Sequence, residues 1–225
     1  MSPTGEKRWK FLSYAGFWTR HGMIDLEGDG AMELVGGNGD IASDDSLFFL
    51  NGQDVFCKRI LNDGWGSALS SMEIADINGD GKREIIIGTR RGNLHAIAPD
   101  REGYLWSRTL GHEVSGCQVL HTPSGSIVVA GCQSGFVVAY DGSGRKAWAT
   151  SVGAPVLFLD TIGDDVGLVA ALRDGTLVQL DVAGNTVHHA NLASVPTAIC
   201  VVGEAHDLAI VAGTDGVVRA VRLRP

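Results

Sequence analysis

The sequence predicts an all-β fold built from one repeated unit, and three observations predict it. Short runs rich in Val, Ile and Leu, each bounded by Gly or Asp, recur along the 225 residues and are typical of strands. No segment has a convincing helical period. Gly is abundant, with 31 residues against 6 Pro, which indicates many tight turns rather than disorder.

The repeated unit is an apolar run that ends in a small residue, then a turn, then a second apolar run. It occurs five times, and its small residues lie 52, 43, 40 and 42 residues apart. The first step is longer mainly because of the insertion NGDIASDD at residues 38–45. One further strand precedes each pair and one follows it, so each unit predicts four antiparallel strands. The small residues, in chain order, are Gly36, Gly88, Gly131, Ala171 and Gly213.

Four short strands in about 42 residues are the period of a β-propeller blade. The sequence therefore predicts a single five-bladed β-propeller of four-stranded antiparallel blades over residues 1–225. The stretch TGEKRW (4–9) matches SGRKAW (143–148), so the N-terminal strand is expected to complete the last blade and close the ring. A piece of a larger ring of about six to eight blades is the rival interpretation, and the matching ends favour the complete ring. The predicted blades cover approximately residues 16–61, 65–110, 111–151, 152–192 and 194–225 with 4–12.

Trp106 and Trp148 occupy the same position of the fourth strand, and Trp9 takes that position in the N-terminal strand. An aromatic side chain repeated in the outer strand is expected to pack between neighbouring blades. The four Cys have no metal-type spacing and are interpreted as free thiols. A disulfide between Cys117 and Cys132 is possible if their strands are adjacent.

Two stretches of the same length, DLEGDGAME (25–33) and DINGDGKRE (76–84), place acidic or amide residues at alternate positions before a Gly. Calcium prefers about six to eight oxygen ligands, and the spacing resembles the start of an EF-hand loop, although strands flank it. One or two calcium sites are therefore predicted; the alternative is that Asp and Asn merely cap a tight turn. The predicted ligands are Asp76, Asn78, Asp80, Glu84 and the Lys82 carbonyl, and Asp25, Glu27, Asp29, Glu33 and the Ala31 carbonyl.

The stretch ADINGDGKREIIIGTRRGNLHAI resembles the FG-GAP and VCBS-type repeats of bacterial surface proteins and integrin-type propellers. VVAYDGSGRKAW and HAIAPDREGYLW resemble the quinoprotein-like (PQQ-like) repeat. Together the resemblances cover essentially the whole chain at the level of the repeat. They imply a propeller with calcium-type loops at one end and a ligand face at the other. The chain is too short for the larger ring of true quinoprotein dehydrogenases, so no PQQ cofactor is expected.

The loops expected at the end opposite the calcium-type turns carry Trp, Arg, His and carboxylate side chains, mostly in the first three blades. Such a set suits a polar ligand with apolar faces, such as a sugar, and equally suits a protein hot spot. The uneven distribution favours one asymmetric site over five equal ones. The candidates are Trp18, Arg20, His21, Trp65, Arg90, Arg91, His112, Glu113, Gln133, Arg173 and Asp174.

The sequence favours a non-catalytic binding module or scaffold that presents this face to a protein. A carbohydrate-binding propeller is the first alternative and a glycosidase the second, because glycosidases use paired carboxylates. Glu73 lies within an inner strand and Glu113 near the start of another, whereas Asp160 is expected at the calcium-turn end. No nucleophile elbow, zinc-protease, P-loop or dinucleotide motif occurs, so we predict that the chain is not an enzyme.

Net charge and hydropathy limit the classes of partner that we expect. The net charge of -8 disfavours nucleic acid, and no apolar run approaches the ~18 residues of a membrane span. The first residues, MSPTGEKRWKFL, lack the apolar core of a secretory signal peptide. The chain is therefore expected to be either cytosolic or a mature region cut from a longer precursor, and to be a monomeric domain.

Overall fold

The computed structural model describes residues 18–38, 46–51, 57–62, 68–100, 103–163, 166–203 and 207–224. Every regular element in this part of the chain is a β-strand, as the sequence predicts. Within these ranges no helix is long and apolar enough to cross a membrane. The predicted N-terminal strand (4–12), Trp9, Trp65 and most of the insertion at 38–45 lie outside the described residues.

The described residues contain nineteen strands, and consecutive strands within each sheet pair antiparallel. They are β1 (Trp18–Ile24), β2 (Glu33–Asn38), β3 (Ser46–Asn51), β4 (Cys57–Asn62), β5 (Leu69–Ala75), β6 (Glu84–Thr89), β7 (Asn93–Ile97), β8 (Trp106–Thr109), β9 (Val114–Thr122), β10 (Gly125–Cys132), β11 (Phe136–Asp141), β12 (Lys146–Ser151), β13 (Val156–Thr161), β14 (Gly167–Leu172), β15 (Thr176–Asp181), β16 (Thr186–Asn191), β17 (Pro196–Val202), β18 (Leu208–Gly213) and β19 (Val218–Arg222).

The strands form five sheets in sequence order, which we number 1 to 5: β1–β4, β5–β8, β9–β12, β13–β16 and β17–β19. Sheets 1 to 4 have four strands, and three strands are described for sheet 5. The first strand of each sheet packs on the first strand of the next, from β1 through β5, β9 and β13 to β17. The second strands β6 and β14 are buried along their whole length because a neighbouring sheet covers each face.

Each first strand skips one residue in its pairing with the second strand. The skipped residues are Thr19, Ser70, Ser115, Leu157 and Thr197. Such a β-bulge bends the strand and increases its twist. The bulge therefore provides a reference point that relates the five sheets residue by residue.

This register corrects two of the five predicted small residues. The residue opposite the end of the bulge is Gly37 in sheet 1 and Ala212 in sheet 5, so Gly36 and Gly213 were each wrong by one position. Two small residues are adjacent at both places, and only the bulge decides between them. A Cβ atom on Gly37 would overlap Leu69 of the next sheet, which explains the need for a small residue there.

Four apolar clusters fill the interfaces between consecutive sheets. Trp106 and Trp148 bridge two of these interfaces, as predicted. The indole N–H of Trp106 donates to the Gly142 carbonyl at 3.0 Å, and that of Trp148 donates to the Val182 carbonyl at 3.0 Å. A buried indole that also finds an acceptor fixes the distance and the angle between two sheets.

The far face of sheet 5 is uncovered in the described part of the chain. Val218 is 67% exposed, whereas Leu177, at the equivalent register position of sheet 4, is 2% exposed. Closure of a ring by the N-terminal strand therefore stays a prediction. Cys117 and Cys132 are buried and form no disulfide with each other, and their cross-strand neighbours are Ala130 and Val114.

Candidate functional site

The connections between second and third strands form one end of the sheet array. Among the described residues, four of them are four-residue turns in which a Gly N–H bonds to the carbonyl three residues earlier, at 3.0 to 3.1 Å. These closing residues, Gly92, Gly135, Gly175 and Gly216, have φ between 76° and 87°, a region that favours glycine. The residues just before each Gly therefore project at the tips of the turns.

Seven predicted ligand residues meet at this end, which we call the turn face. Arg90, Arg91, Arg173 and Asp174 are exposed on the tips, and exposed His112 lies in the loop that enters sheet 3. The turn face consists of Arg90, Arg91, His112, Glu113, Gln133, Arg173 and Asp174.

The backbone of the turn face is held firmly by repeated contacts. The N–H groups of Arg90, Gln133 and Arg173 each donate to the loop that enters their own sheet, at 2.9 to 3.0 Å. Gly92 packs on the next sheet so closely that a Cβ atom there would lie 2.5 Å from the backbone nitrogen and oxygen of His112. Exposed side chains on a fixed backbone are suited to binding, because little conformational entropy is lost.

Two hydrogen bonds of the Gln133 side chain join sheets 3 and 4 across the turn face. The Arg173 guanidinium donates to Gln133 Oε1 at 2.7 Å, and Gln133 Nε2 donates to the Val156 carbonyl at 3.3 Å. His21 lies inside β1 and is exposed, so its position is within a strand and not in a loop. Trp18 and Arg20 have backbone positions in β1, and their side chains are outside the described residues.

The two calcium-type loops lie at the other end, and their hydrogen bonds are nearly the same. Asp25 accepts the N–H groups of Gly28, Asp29 and Gly30 at 2.8 to 3.1 Å. These hydrogen bonds lower the pKa of Asp25, and the bond from Gly30 has the largest effect. Glu33 closes this loop by accepting the Leu26 N–H at 2.9 Å. Each acid satisfies backbone groups that the turn would otherwise leave unpaired.

The second loop repeats this arrangement. Asp76 accepts the N–H groups of Gly79 and Gly81 at 2.7 and 2.8 Å. Glu84, which is 1% exposed, accepts the Ile77 N–H at 3.0 Å. Burial raises the pKa of Glu84, and the negative charge of nearby Asp80 adds to the effect.

Three of the predicted calcium ligands converge in the second loop. Asn78 Nδ2 donates to Asp80 Oδ2 at 3.2 Å and to Glu84 Oε1 at 3.0 Å, so the amide lies between two carboxylates. The donor chemistry suits calcium, because carboxylate and amide oxygens are its ligands. Within the described ranges, however, no three His, Cys, Asp or Glu side chains are grouped to hold a metal ion. The loops are therefore complete as turns through their own hydrogen bonds.

Between the two loops lies a cavity of about 770 Å³, which the sequence analysis missed. We call it the acidic cleft. On one side of the cleft lies the β1–β2 loop of sheet 1. On the other side lie the β5–β6 loop and the β7–β8 turn of sheet 2. Its lining consists of residues 24–28, 32, 78, 80–84 and 98–100.

Of the acids considered for catalysis, Glu73 and Asp160 lie in first strands, and Glu113 directly precedes β9. Asp160 takes the register position of Glu73, and not the end position of Asp25 and Asp76, so its expected location was wrong. Asp160 Oδ2 accepts the Val201 N–H at 2.7 Å, which ties β13 to β17. Burial raises the pKa of Glu73, and the charge of Asp160 contributes to this.

Comparison with known proteins supports the fold. No protein-family model matches the chain, and no curated protein matches it. Among solved structures it is similar to Sqt1 of Saccharomyces cerevisiae, with a TM-score of 0.75, 16% identity, and coverage of 92% of this chain and 60% of that one. It is also similar to BBS1N, crystallised in complex with ARL6DN, with a TM-score of 0.67, 13% identity, and coverage of 93% and 79%.

A computationally designed protein, Ika8, is similar as well, with a TM-score of 0.65, 16% identity, and coverage of 85% of this chain and 55% of that one. The chain thus spans less than two thirds of Ika8 and of Sqt1. Five consecutive antiparallel sheets of three or four strands, packed through their first strands, make a propeller-like all-β fold.

Proposed function

We propose that this chain is a non-catalytic protein-binding scaffold whose partner docks on the turn face. The observation that carries the proposal is that exposed Arg90, Arg91, His112, Arg173 and Asp174, from three consecutive sheets, lie together on a hydrogen-bonded backbone. Guanidinium groups are enriched among hot-spot residues of protein interfaces. The similarity to BBS1N, a propeller-like protein crystallised with another protein, supports a protein as the partner.

The turn face favours an acidic partner surface. Arg90 and Arg91 project from one turn, and Arg173 from another, while Glu113 and Asp174 are its acids. Exposed Arg side chains form bidentate hydrogen bonds with carboxylates, which gives geometric specificity. We propose no catalytic role for Glu73 and Asp160, and the Asp160 carboxylate ties the first strand β13 to β17.

The test is affinity capture followed by direct titration. The tagged chain retains a partner from a lysate of its source, and the purified partner is then titrated against variants. The double variant Arg90→Ala/Arg91→Ala is expected to weaken binding by roughly 30-fold, the effect of losing a hot spot. The matched control Arg145→Ala/Lys146→Ala removes two exposed basic side chains from the β11–β12 region and should bind normally. Equal affinity for all three proteins would contradict the location of the site.

We further propose that the ring is closed by residues 4–12 as the outer strand of sheet 5, making a five-bladed propeller. The uncovered face of sheet 5 and the match of TGEKRW to SGRKAW support this closure. An engineered disulfide between residues 4–12 and β19 tests it, because the bond can form only if the two strands are neighbours. The variant Trp9→Ala should lower the unfolding midpoint as much as Trp148→Ala does, and an unchanged midpoint would argue against closure.

Calcium binding by the two loops also remains a proposal. Rotation of the Asn78 amide would present its oxygen beside Asp80 and Glu84. Calorimetry on metal-stripped protein tests it, with Asp80→Ala as the variant that should lose one site. If neither heat nor a change in melting temperature accompanies calcium, the loops act only as turns.

A further inference from the structure

The acidic cleft lies beside a turn of sheet 2 whose counterpart in sheet 3 packs closely against the neighbouring sheet. In sheet 3 the residue directly after the third strand is Gly142, whose backbone lies against the Ile77 carbonyl, so that a Cβ atom there would overlap it. The register places Pro99 of sheet 2 at the equivalent position. Pro99 lines the cleft, and its ring is incompatible with the close backbone approach that Gly142 makes in sheet 3.

The cleft is negatively charged. Its lining includes Lys82 and Arg83 as basic residues, and the Lys82 ammonium is already paired with Asp100 at 2.7 Å. The five carboxylates of the lining are Asp25, Glu27, Asp80, Glu84 and Asp100. The excess of carboxylates in a concave space concentrates a negative potential there.

The cleft also has an apolar wall. Ile24 and Ala98 are buried at its base, and Met32 is 40% exposed beside them. A volume of about 770 Å³ lies within the usual range for ligand pockets. Carboxylates next to aliphatic surface match the Arg or Lys side chain, which combines a charged head with an apolar stem.

We propose that the acidic cleft binds an Arg or Lys side chain from a basic segment of a protein partner. A guanidinium needs hydrogen bonds to one or two carboxylates and tolerates an apolar wall, which this lining provides. The site is independent of the turn face, because it lies at the opposite end of the first strands. The same partner or a second one could occupy it without competing for Arg90 and Arg91.

The experiment is a titration of the full chain, carrying 13C-methyl methionine, with an acetylated and amidated tetra-arginine peptide. The methyl resonance of Met32 should shift saturably, while Met23, exposed in β1 and outside the lining, should not. The tetra-citrulline peptide, which is neutral and of the same shape, should have no effect.

Charge variants test whether the carboxylates of the cleft attract the peptide. Glu27→Gln should weaken peptide binding roughly fivefold, and Asp100→Asn more, because it also releases Lys82. Arg83→Gln should strengthen binding roughly threefold by removing a like charge. The control Glu113→Gln makes the same charge change on the turn face and should leave the affinity unchanged.

Three results would overturn the proposal. The first is an unmoved Met32 resonance at saturating peptide. The second is an equal loss of affinity in Glu27→Gln and Glu113→Gln, which would mean attraction to the net charge of the whole chain. The third is displacement of the peptide by equimolar calcium chloride, which would assign the cleft to a metal ion.

Discussion

Replacement of Gly92 by Ala tests how the turn face is built. Gly92 has a φ of 85°, and a Cβ atom would lie 2.5 Å from the His112 nitrogen and oxygen. The left-handed conformation costs an Ala about 1–2 kcal/mol. Overlap with backbone, which cannot move aside as a side chain can, adds about 1–3 kcal/mol. The expected loss in the free energy of unfolding is therefore about 2–5 kcal/mol.

Gly111 supplies the matched control. It has a φ of 78°, and a Cβ atom there would meet nothing within 4 Å. Gly111→Ala should therefore cost only the conformational part, about 1–2 kcal/mol. Urea-induced unfolding followed by Trp fluorescence measures both variants. If the two losses are equal, Gly92 does not depend on its contact with His112, and the account of the turn face fails.

Four further predictions follow from single contacts. Ala193 has a φ of 54° at the position where Gly111 and Gly153 occur in the sister sheets, so Ala193→Gly should stabilise the chain by about 1 kcal/mol in urea unfolding, and a loss would contradict this. Trp148→Phe removes the bond to the Val182 carbonyl and should cost about 1–2 kcal/mol by the same assay; an unchanged midpoint would show that the bond contributes nothing. Bonds from Ser143, then from Arg145, lower the pKa of Asp141 to about 2, so its contribution to stability should be present above pH ~4 and be lost as the pH falls toward 2; the unfolding midpoint of Asp141→Asn should vary less over that range. Because burial raises the pKa of Glu73, its charged form is disfavoured in the folded chain, so Glu73→Gln should raise the midpoint at pH 7 and lose that advantage below pH ~4, where the wild-type carboxyl is protonated.

Local patterns were sufficient for the strands and for the repeat. The second strands β6 and β14, EIIIGT and GLVAAL, are rich in Ile, Leu, Val or Ala, and burial on both faces requires such a run. The paired Trp106 and Trp148 indicated contacts between sheets, because one side chain recurs at one place in successive units. The turn face was also accessible from the sequence, since alternate connections of a meander emerge at the same end.

The residue-by-residue pairing of first and second strands could not be predicted from the sequence in the same way. A bulge skips one residue without changing the hydrophobic pattern, so Gly36 and Gly37 could not be distinguished before the pairing was known. The level of Asp160 also required the pairing, because the shorter connection after β13 left its alignment with Asp25 and Asp76 undetermined in the sequence, and the register places Asp160 level with Glu73.

The sequence by itself determined the elements of this protein: strands, turns and the self-bonded acidic loops, which depend on residues close together in the chain. The tertiary structure alone decided which of these residues meet. Pro99 lines the acidic cleft, whereas Gly142, at the equivalent register position, packs against Ile77, because a different loop of another sheet lies opposite each of them. Contacts between sheets join residues about 40 positions apart, as in the bond from Arg173 to Gln133, and no local pattern encodes that distance.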